Sequence, residues 1–564
     1  MGLAEDLTAT TRTSTLEGMQ AAGVDLLVIG GGITGAGVAL DAATRGLRVG
    51  LVEQWDFASG TSSRSTKLVH GGIRYLPMLD FGLVREGLIE RSLLAANAPH
   101  LVRPLPFVVP FYQGLKRPMG MRLPAAGRAF MPYAMRTGLW MYDRLAGRMV
   151  LIRHRAIGLA ESLRLCPYLR REGLQQASLY YDAQTDDARL TMAVIRTAAR
   201  YGALPVNYAR AVSLVRREGR VAGAEVEDRL TGRRYTVAAR WVVNASGVWA
   251  GQVAALAGSD RSIRLSLSKG VHLVMPRELL GIGEAALVLP ETEDGRLAFV
   301  VPWEGLAVVG TTDTPYDGSP EDPPVTTEDV EYLLRHVRRF LNVHVDTSDV
   351  IAAYAGLRPL ISAGARSADL SRRHAVVRHE PGLVSIIGGK LTAYRRMAQD
   401  TVDAIAAEEA RQGAGGMSVP ACRTRQLPLV GADAPEAWPD LVREGIHMGL
   451  EPAISQRLLH TYGHEMGRLL QVMKEDADLA RPIVPGLPWL RAEVVFACRA
   501  TMAVTLEDML VRRLRVSLAA PGGGVPAAGP VAELMAEALG WSLERRRAEL
   551  EHYQERAERA AAWR

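Results

Sequence analysis

The sequence predicts an α/β protein in which a nucleotide-binding domain of parallel strands and helices is interleaved with a mixed, largely antiparallel sheet domain. An all-helical C-terminal domain is expected to follow. Three observations carry that expectation. "LLVIGGGITGAG" (26–37) packs five glycines directly behind an apolar run; short apolar segments separated by turns crowd between Ser266 and Thr312; and beyond a glycine-rich stretch at 411–421 the apolar spacing is almost wholly helical. At 564 residues the chain exceeds one ordinary hydrophobic core, so two or three domains are expected.

Taken in order, Val24–Gly30 reads as a buried parallel strand, Ile33–Arg45 as a helix of small apolar residues, and Leu47–Glu53 as a second strand ending in an acid. Together they make a β-α-β unit. Asp187–Tyr201 reads as a helix, Arg210–Arg216 and Arg220–Asp228 as strands, and Arg240–Asn244 as another buried strand. "GVHLVMP", "AALVLP", "LAFVVPW" and "LAVVGTTD" read as strands of an antiparallel sheet, and "GLVSIIGGKLTAYRRMAQDTVDAIAAEEA" as a strand, a glycine turn and a long helix. "RQGAGGMSVPA" (Arg411–Ala421) reads as a linker.

The glycines at 30, 32 and 35 satisfy G-x-G-x-x-G in the required setting, with a strand before and a helix after. Gly30 permits a tight turn, Gly32 lets a pyrophosphate approach the backbone, and Gly35 lets helix and strand pack closely. The helix N-terminus then presents unpaired N–H groups and a partial positive charge to phosphates. Glu53 is placed to accept hydrogen bonds from a ribose. This is a Rossmann-like unit. A second strand-flanked fingerprint is absent, and "VVNASGVWA" (Val242–Ala250) resembles the turn that closes over the same nucleotide in many flavoproteins, which favours FAD over NAD.

Composition sets outer bounds. With 48% hydrophobic and 23% charged residues the chain reads as a packed globular protein, and its net charge of +6 favours anionic partners. Cys166, Cys422 and Cys498 lie far apart with no C-x-x-C, so neither a disulfide framework nor a zinc site is expected, as suits a reducing cytoplasm. Glu5, Asp6 and Glu17 and the lack of an apolar core near the start argue against a Sec-type signal peptide, and no apolar run approaches the roughly 18 residues of a spanning helix. No nucleic-acid module is visible.

"FASGTSSRSTKLVHGGIRYL" (Phe57–Leu76) turns the reading from motif to family. The chain resembles the FAD-dependent, respiratory glycerol-3-phosphate dehydrogenases of bacteria and mitochondria. Further matches are "EGLIERSLLAANAPHLVRPLPFVVP", "YDAQTDDARL", "KGVHLVMP", "VVGTTDTPYDG", "YAGLRPL", "GGKLTAYRRMAQ" and "MAVTLEDMLVRRLRV", covering about residues 22–550. A weaker likeness to flavin amine oxidases such as glycine oxidase spans the nucleotide and sheet domains only.

The resemblance implies an FAD-binding domain built from 22–85, 175–265 and 365–412, a substrate domain from 86–174 and 266–364, and a helical domain over 420–564. It implies oxidation of sn-glycerol 3-phosphate to dihydroxyacetone phosphate with electrons passed to a quinone; a glycerol-3-phosphate oxidase using O₂, or a related amine or hydroxyacid oxidase, stays open as the alternative. It implies FAD contacts at Gly30, Gly32, Thr34, Gly35, Glu53, Thr61, Ser62, Ser65, Thr66, Lys67, Leu68 and Gly71, and at Ala245, Gly247, Gly389, Lys390, Leu391 and Thr392. Arg74, Tyr75, His272, Thr312 and Arg358 are the substrate-binding candidates, and Arg358, His272, Lys390 and Arg74 the catalytic ones. Guanidinium grips phosphate bidentately without losing charge, and imidazole is the natural titratable group for a hydroxyl proton. Which of Arg358, His272 or Lys390 organises that proton stays open, and Lys269 and Arg366 receive no role. His70 is expected to pack near the flavin.

Relatives of this kind work on a membrane. Val108–Arg148 carries seven Lys/Arg against one acid, interleaved with Phe, Tyr, Trp and Met, a mixture suited to anionic lipid. A homodimer, located in the cytoplasm and bound peripherally to the inner face of the cell membrane, is the expected form. The turn "NASG" departs from the family's frequent "NATG" by Ser246, which keeps the hydroxyl.

Overall fold

The strand Val24–Ile29 sits at the centre of a mostly parallel sheet because its side chains are apolar on both faces and almost all buried. The computed structural model of the chain describes residues 4–117, 131–258, 265–361 and 373–564. Val24–Ile29 pairs in parallel with Val49–Val52 on one side and with Arg234–Asn244 on the other. Leu204–Val206 and Leu383–Ile387 extend the parallel order, and Ala375–Glu380 closes one edge antiparallel. An antiparallel meander, Ala209–Arg217 and Arg220–Asp228, hangs from the first half of Arg234–Asn244.

The helix Ile33–Thr44 follows the first strand, and all of its residues but Thr34 are buried. It lies between the helices Asp187–Arg200 and Tyr394–Arg411, which explains its small side chains. A Cβ at Gly37 would fall 2.7 Å from the Tyr394 ring. Only a helix apolar on every side is stable in such a slot.

The second sheet is antiparallel apart from the pairing of Ala286–Leu289 with Arg103–Tyr112. Its long members are Leu265–Pro276, Ala352–Ile361, Arg103–Tyr112 and Leu174–Gln184. Leu174–Gln184, of which 175 onward is expected in the nucleotide-binding domain, pairs with Arg103–Tyr112 along nearly its whole length. The short strand Leu68–Val69 also joins this sheet, so the segment expected within 22–85 reaches across both domains.

The C-terminal region is helical as expected, from Trp438–His447 to Leu543–Ala560, around its own apolar core. It does not stand apart. Leu7, near the start of the chain, pairs with Thr501, and Trp563 is buried in the core of the second sheet. Among the described residues no helix is long and apolar enough to cross a membrane.

Candidate functional site

A cavity of about 630 Å³ runs between the two sheets. One part of its wall is the glycine turn. Gly30 has φ +115°, and a Cβ there would lie 2.7 Å from the Ala245 carbonyl oxygen. A Cβ at Gly35 would overlap the Gly30 carbonyl oxygen, so Gly35 acts beneath the turn and does not line the cavity. Gly30, Gly32, Thr34, Glu53, Ala245 and Gly247 do line it. The helix start at Gly32 has no side-chain cap of its own; the Ile33 N–H donates to Ser62 Oγ at 2.9 Å. Glu53 accepts from the Gly31 N–H at 2.6 Å and the Trp55 N–H at 2.9 Å. Burial raises its pKa, with those two donors opposing. Ser246 keeps the turn as its hydroxyl predicts, donating to Asn244 Oδ1 at 2.6 Å.

The hydroxyl-rich loop forms the next part. Thr61, Ser62, Ser65, Thr66 and Leu68 line the cavity, as does Arg64, which the sequence reading passed over. Thr61 Oγ1 donates to the Leu357 carbonyl at 2.7 Å, and the Tyr354 hydroxyl donates to the Ser65 carbonyl at 2.8 Å. Lys67 turns away: with φ +60° its side chain is fully buried, and Nζ donates to Asp187 Oδ1 at 3.1 Å. Gly71 is also outside the lining; its N–H donates to Asp182 Oδ1 at 3.1 Å, and a Cβ there would collide with Leu88 and Tyr142.

Two acids of "YYDAQTDDARL" therefore hold the loop at both ends. Asp187 accepts from the Ser65 N–H at 2.8 Å, from Ser65 Oγ at 2.7 Å, from Lys67, and from Arg515 Nη2 at 2.7 Å. Burial alone would raise its pKa, but Lys67 and Arg515 outweigh it and hold the carboxyl below the usual range. Asp182 accepts from Gly71, from Arg91 Nη1 at 2.8 Å and from the Tyr142 hydroxyl at 2.8 Å; here burial wins and the pKa rises. Arg512 and Arg513 reach Asp56, just beyond Glu53, at 2.6 and 2.7 Å. The C-terminal "LVRRLRV" thus fastens the cavity wall from outside, a role no local signal announces.

The remaining candidates converge on the far wall. Arg358, His272, Tyr75, Lys390, Gly389, Leu391 and Thr392 all line the cavity, with His70 beside them. Sheet register brings them together: His272 lies opposite both Gly310 and Tyr354, and Gly270 opposite Gly356. The absence of side chains at Gly270 and Gly356 makes room, since a Cβ at Gly270 would meet Arg358 Nη2 at 2.5 Å and one at Gly356 would meet the Arg64 backbone. Arg358 Nη2 donates to Thr311 Oγ1 at 3.1 Å, and Nη1 lies 3.3 Å from Asp313 Oδ1. Lys390 Nζ sits 3.9 Å over the Tyr75 ring. Thr392 Oγ1 accepts from the His70 N–H at 3.1 Å.

His272 is buried and stacks on Tyr354 at 4.9 Å, with Nε2 2.8 Å from Thr66 Oγ1 and Nδ1 making no hydrogen bond among the described residues. Burial, then Arg358 and Lys67, push its pKa well below the ordinary value, so the imidazole is neutral. Thr312 is not at the cavity: it is buried and its Oγ1 accepts from the Val271 N–H at 2.9 Å, while its neighbour Thr311 provides the lining hydroxyl. The backbone of Arg74 lies in the short helix Ile73–Met78, but its side chain is outside the described residues. Arg366 lies outside them too, Lys269 is paired with Asp329 at 2.6 Å, and His374 Nε2 is 2.8 Å from Asp400.

A cradle of backbone that tolerates no Cβ, a run of hydroxyls and a cationic far wall fit an extended, anionic dinucleotide. Comparison with known proteins agrees. The model of the FAD dependent oxidoreductase family matches residues 25–395, and that of the C-terminal domain of alpha-glycerophosphate oxidase matches 422–546. The chain is 41% identical over 540 residues to glycerol-3-phosphate dehydrogenase 2 of Mycobacterium tuberculosis (strain ATCC 25618 / H37Rv), covering 95% of this chain and 88% of that one. It is 39% identical over 551 residues to the mitochondrial glycerol-3-phosphate dehydrogenase of Mus musculus, covering 93% and 72%. The solved structure of the glycerol-3-phosphate dehydrogenase from Bacillus halodurans complexed with FAD is similar over 99% of both chains, with a TM-score of 0.79 and 31% identity. With its nucleotide cradle, sheet domain and helical tail all matched, the chain belongs to the FAD-dependent glycerol-3-phosphate dehydrogenase family, and FAD is its cofactor.

Proposed function

We propose that the protein oxidises sn-glycerol 3-phosphate to dihydroxyacetone phosphate and passes the electrons to a quinone at a membrane surface. The observation that carries this reading is the convergence of Arg358, Lys390, His272 and Thr66 on the wall of the FAD cavity. FAD, when bound, supplies the acceptor for the hydride that leaves C2. The chain's own residues grip the phosphate, aim C2 and remove the hydroxyl proton.

Arg358 is the phosphate clamp. Its guanidinium lines the cavity, with Thr311, Thr312 and Asp313 at 3.1–3.4 Å orienting it there. Lys390, over Tyr75, adds positive charge that offsets the developing alkoxide. The C2 hydroxyl proton passes through Thr66 Oγ1, which lines the cavity, to His272 Nε2 at 2.8 Å. Burial, Arg358 and Lys67 keep that imidazole neutral, and its Nδ1–H tautomer leaves Nε2 to accept from Thr66.

The membrane reading rests on exposed apolar side chains beside basic ones. Met78 and Leu79 are 67% and 71% exposed, and Tyr133 and Trp140 of the adjoining helix Met131–Ala146 are 65% and 54% exposed. Arg144 lies over Trp140 at 5.3 Å, with Arg136 and Arg148 nearby in sequence. Residues 118–130, in the middle of the expected membrane element, are outside the described residues. Sedimentation with vesicles containing anionic lipid, against neutral vesicles, tests this face.

The deciding experiment for the activity is anaerobic mixing of the yellow protein with glycerol 3-phosphate while following flavin bleaching. Persistent colour overturns the substrate assignment. Peroxide release with and without a quinone analogue then separates quinone from O₂ as acceptor.

A further inference from the structure

A second, smaller cavity of about 50 Å³ lies where the sheet domain meets the C-terminal helices and shares no lining residue with the FAD cavity. Arg103 comes to it from the start of the strand Arg103–Tyr112, Arg189 from the first turn of the helix Asp187–Arg200, and Arg457 and His460 from the helix Pro452–Tyr462. With Arg515, four guanidiniums face it against two carboxylates, Asp186 and Glu304.

The four arginines fall into two classes. Arg457 is paired with Glu493, and Arg515 with Asp186 and Asp187. Arg103 and Arg189 make no ion pair with a carboxylate among the described residues. Arg103 donates to His460 Nδ1 at 2.6 Å, and Arg189 Nη2 to the Tyr462 hydroxyl at 3.3 Å. Arg189 also lies over the Tyr462 ring at 4.8 Å, and of the five N–H donors on each guanidinium most meet no acceptor among the described residues. The neighbouring imidazoles are neutral and add no charge to the cavity. Burial and Arg103 push His460 down to about 4, while burial, then Arg189 and His460, push His100 down to about 3. His100 is buried, and its Nδ1 makes no hydrogen bond among the described residues.

Half-buried positive charge with unmet donors on two facing elements is the complement of a compact oxyanion. We propose that this joint binds one free inorganic oxyanion of the phosphate or sulfate class, held between Arg103 and Arg189. The cavity is sized for a single tetrahedral group. Arg515 lines the same cavity but is already engaged by Ser63 O at 2.9 Å and by Asp187.

Crystals of the FAD-loaded protein soaked in selenate provide the direct test. An anomalous peak within hydrogen-bond reach of both the Arg103 and Arg189 guanidiniums is expected; peaks confined to other places overturn the proposal. In solution, calorimetric titration of the holoprotein with inorganic phosphate is compared with Arg103→Gln and Arg189→Gln. Each substitution is expected to weaken the binding event at this joint by about ten- to a hundredfold, the loss of charge-assisted hydrogen bonds, with bound flavin content unchanged. Phosphate titrations that coincide for the native chain and both variants sink it. Should a variant fail to fold, the soak of the native protein decides.

Discussion

Arg515 Nη2, carried by the C-terminal helices, donates at 2.7 Å to Asp187 Oδ1, the carboxylate whose other oxygen holds Ser65 of the FAD loop. The helical domain thereby braces the cavity wall without lining it. Removing Arg515 leaves Asp186 and Asp187 short of a buried cation, although Lys67 stays with Asp187.

For Arg515→Leu the expected result is a loss of about 3 kcal/mol in stability and faster release of FAD. Far-ultraviolet circular dichroism and flavin fluorescence, followed together on heating, check it. Arg515→Lys keeps the charge but not the three-way reach to Asp186, Asp187 and Ser63, and is expected to fall between the two. Equal flavin retention in all three chains would show that the clamp is dispensable.

Two glycines of the turn differ in what a methyl group would strike. At Gly35 it would overlap the Gly30 carbonyl oxygen, which cannot move without breaking the turn. At Gly32 it would come 3.0 Å from Ser62 Oγ, the end of a rotatable side chain. Gly35→Ala should be recovered without flavin, and Gly32→Ala with a reduced but measurable flavin-to-protein ratio.

Arg358→Lys retains the positive charge and loses the planar fork. Flavin reduction by glycerol 3-phosphate, followed anaerobically by stopped flow, is expected to slow by about a hundredfold, two to three kcal/mol of lost stabilisation. An unchanged rate would remove Arg358 from the phosphate clamp.

Acid stability should report two buried histidines and one half-buried one. His100 (about 3), His460 (about 4) and His272 (well below its ordinary value) are all held neutral in the folded chain, first by burial and then by neighbouring cations. Unfolded, each titrates near about 6.5. As pH falls through that value the unfolded chain gains protons that the folded chain does not, so stability present above about pH 6.5 is lost on acidification. Each histidine contributes about 1.4 kcal/mol per pH unit down to its folded pKa. Denaturant midpoints between pH 7 and 4.5 should fall accordingly, and His100→Gln should flatten the slope by about one proton.

How legible the site was depended on how local its parts are. The strand, glycine turn and helix from Val24 to Thr44 were readable because their chemistry is written in consecutive residues. The hydroxyl loop was readable as a segment, but Lys67 was not: its φ of +60° swings it from the cavity into the domain joint. Thr311 and Thr312 show the limit most clearly. Successive residues at a strand end point to opposite sides, so a one-residue difference decides which hydroxyl faces the cavity and which is spent on the Val271 N–H. Leu174–Gln184 could not be read as a sheet strand because its partner, Arg103–Tyr112, is distant in sequence.

By itself the sequence determined the strand, glycine turn and helix of the cradle, since turn geometry and apolar period act within a few residues, and its motifs carried the resemblance to the family. Only the tertiary structure decided which cations share a wall with His272, because sheet register sets Ser268 against Arg358 and His272 against Tyr354. It also decided that arginines from the helical tail hold the FAD loop. Buried charge must find its partner wherever folding brings one, and no spacing along the chain encodes that meeting.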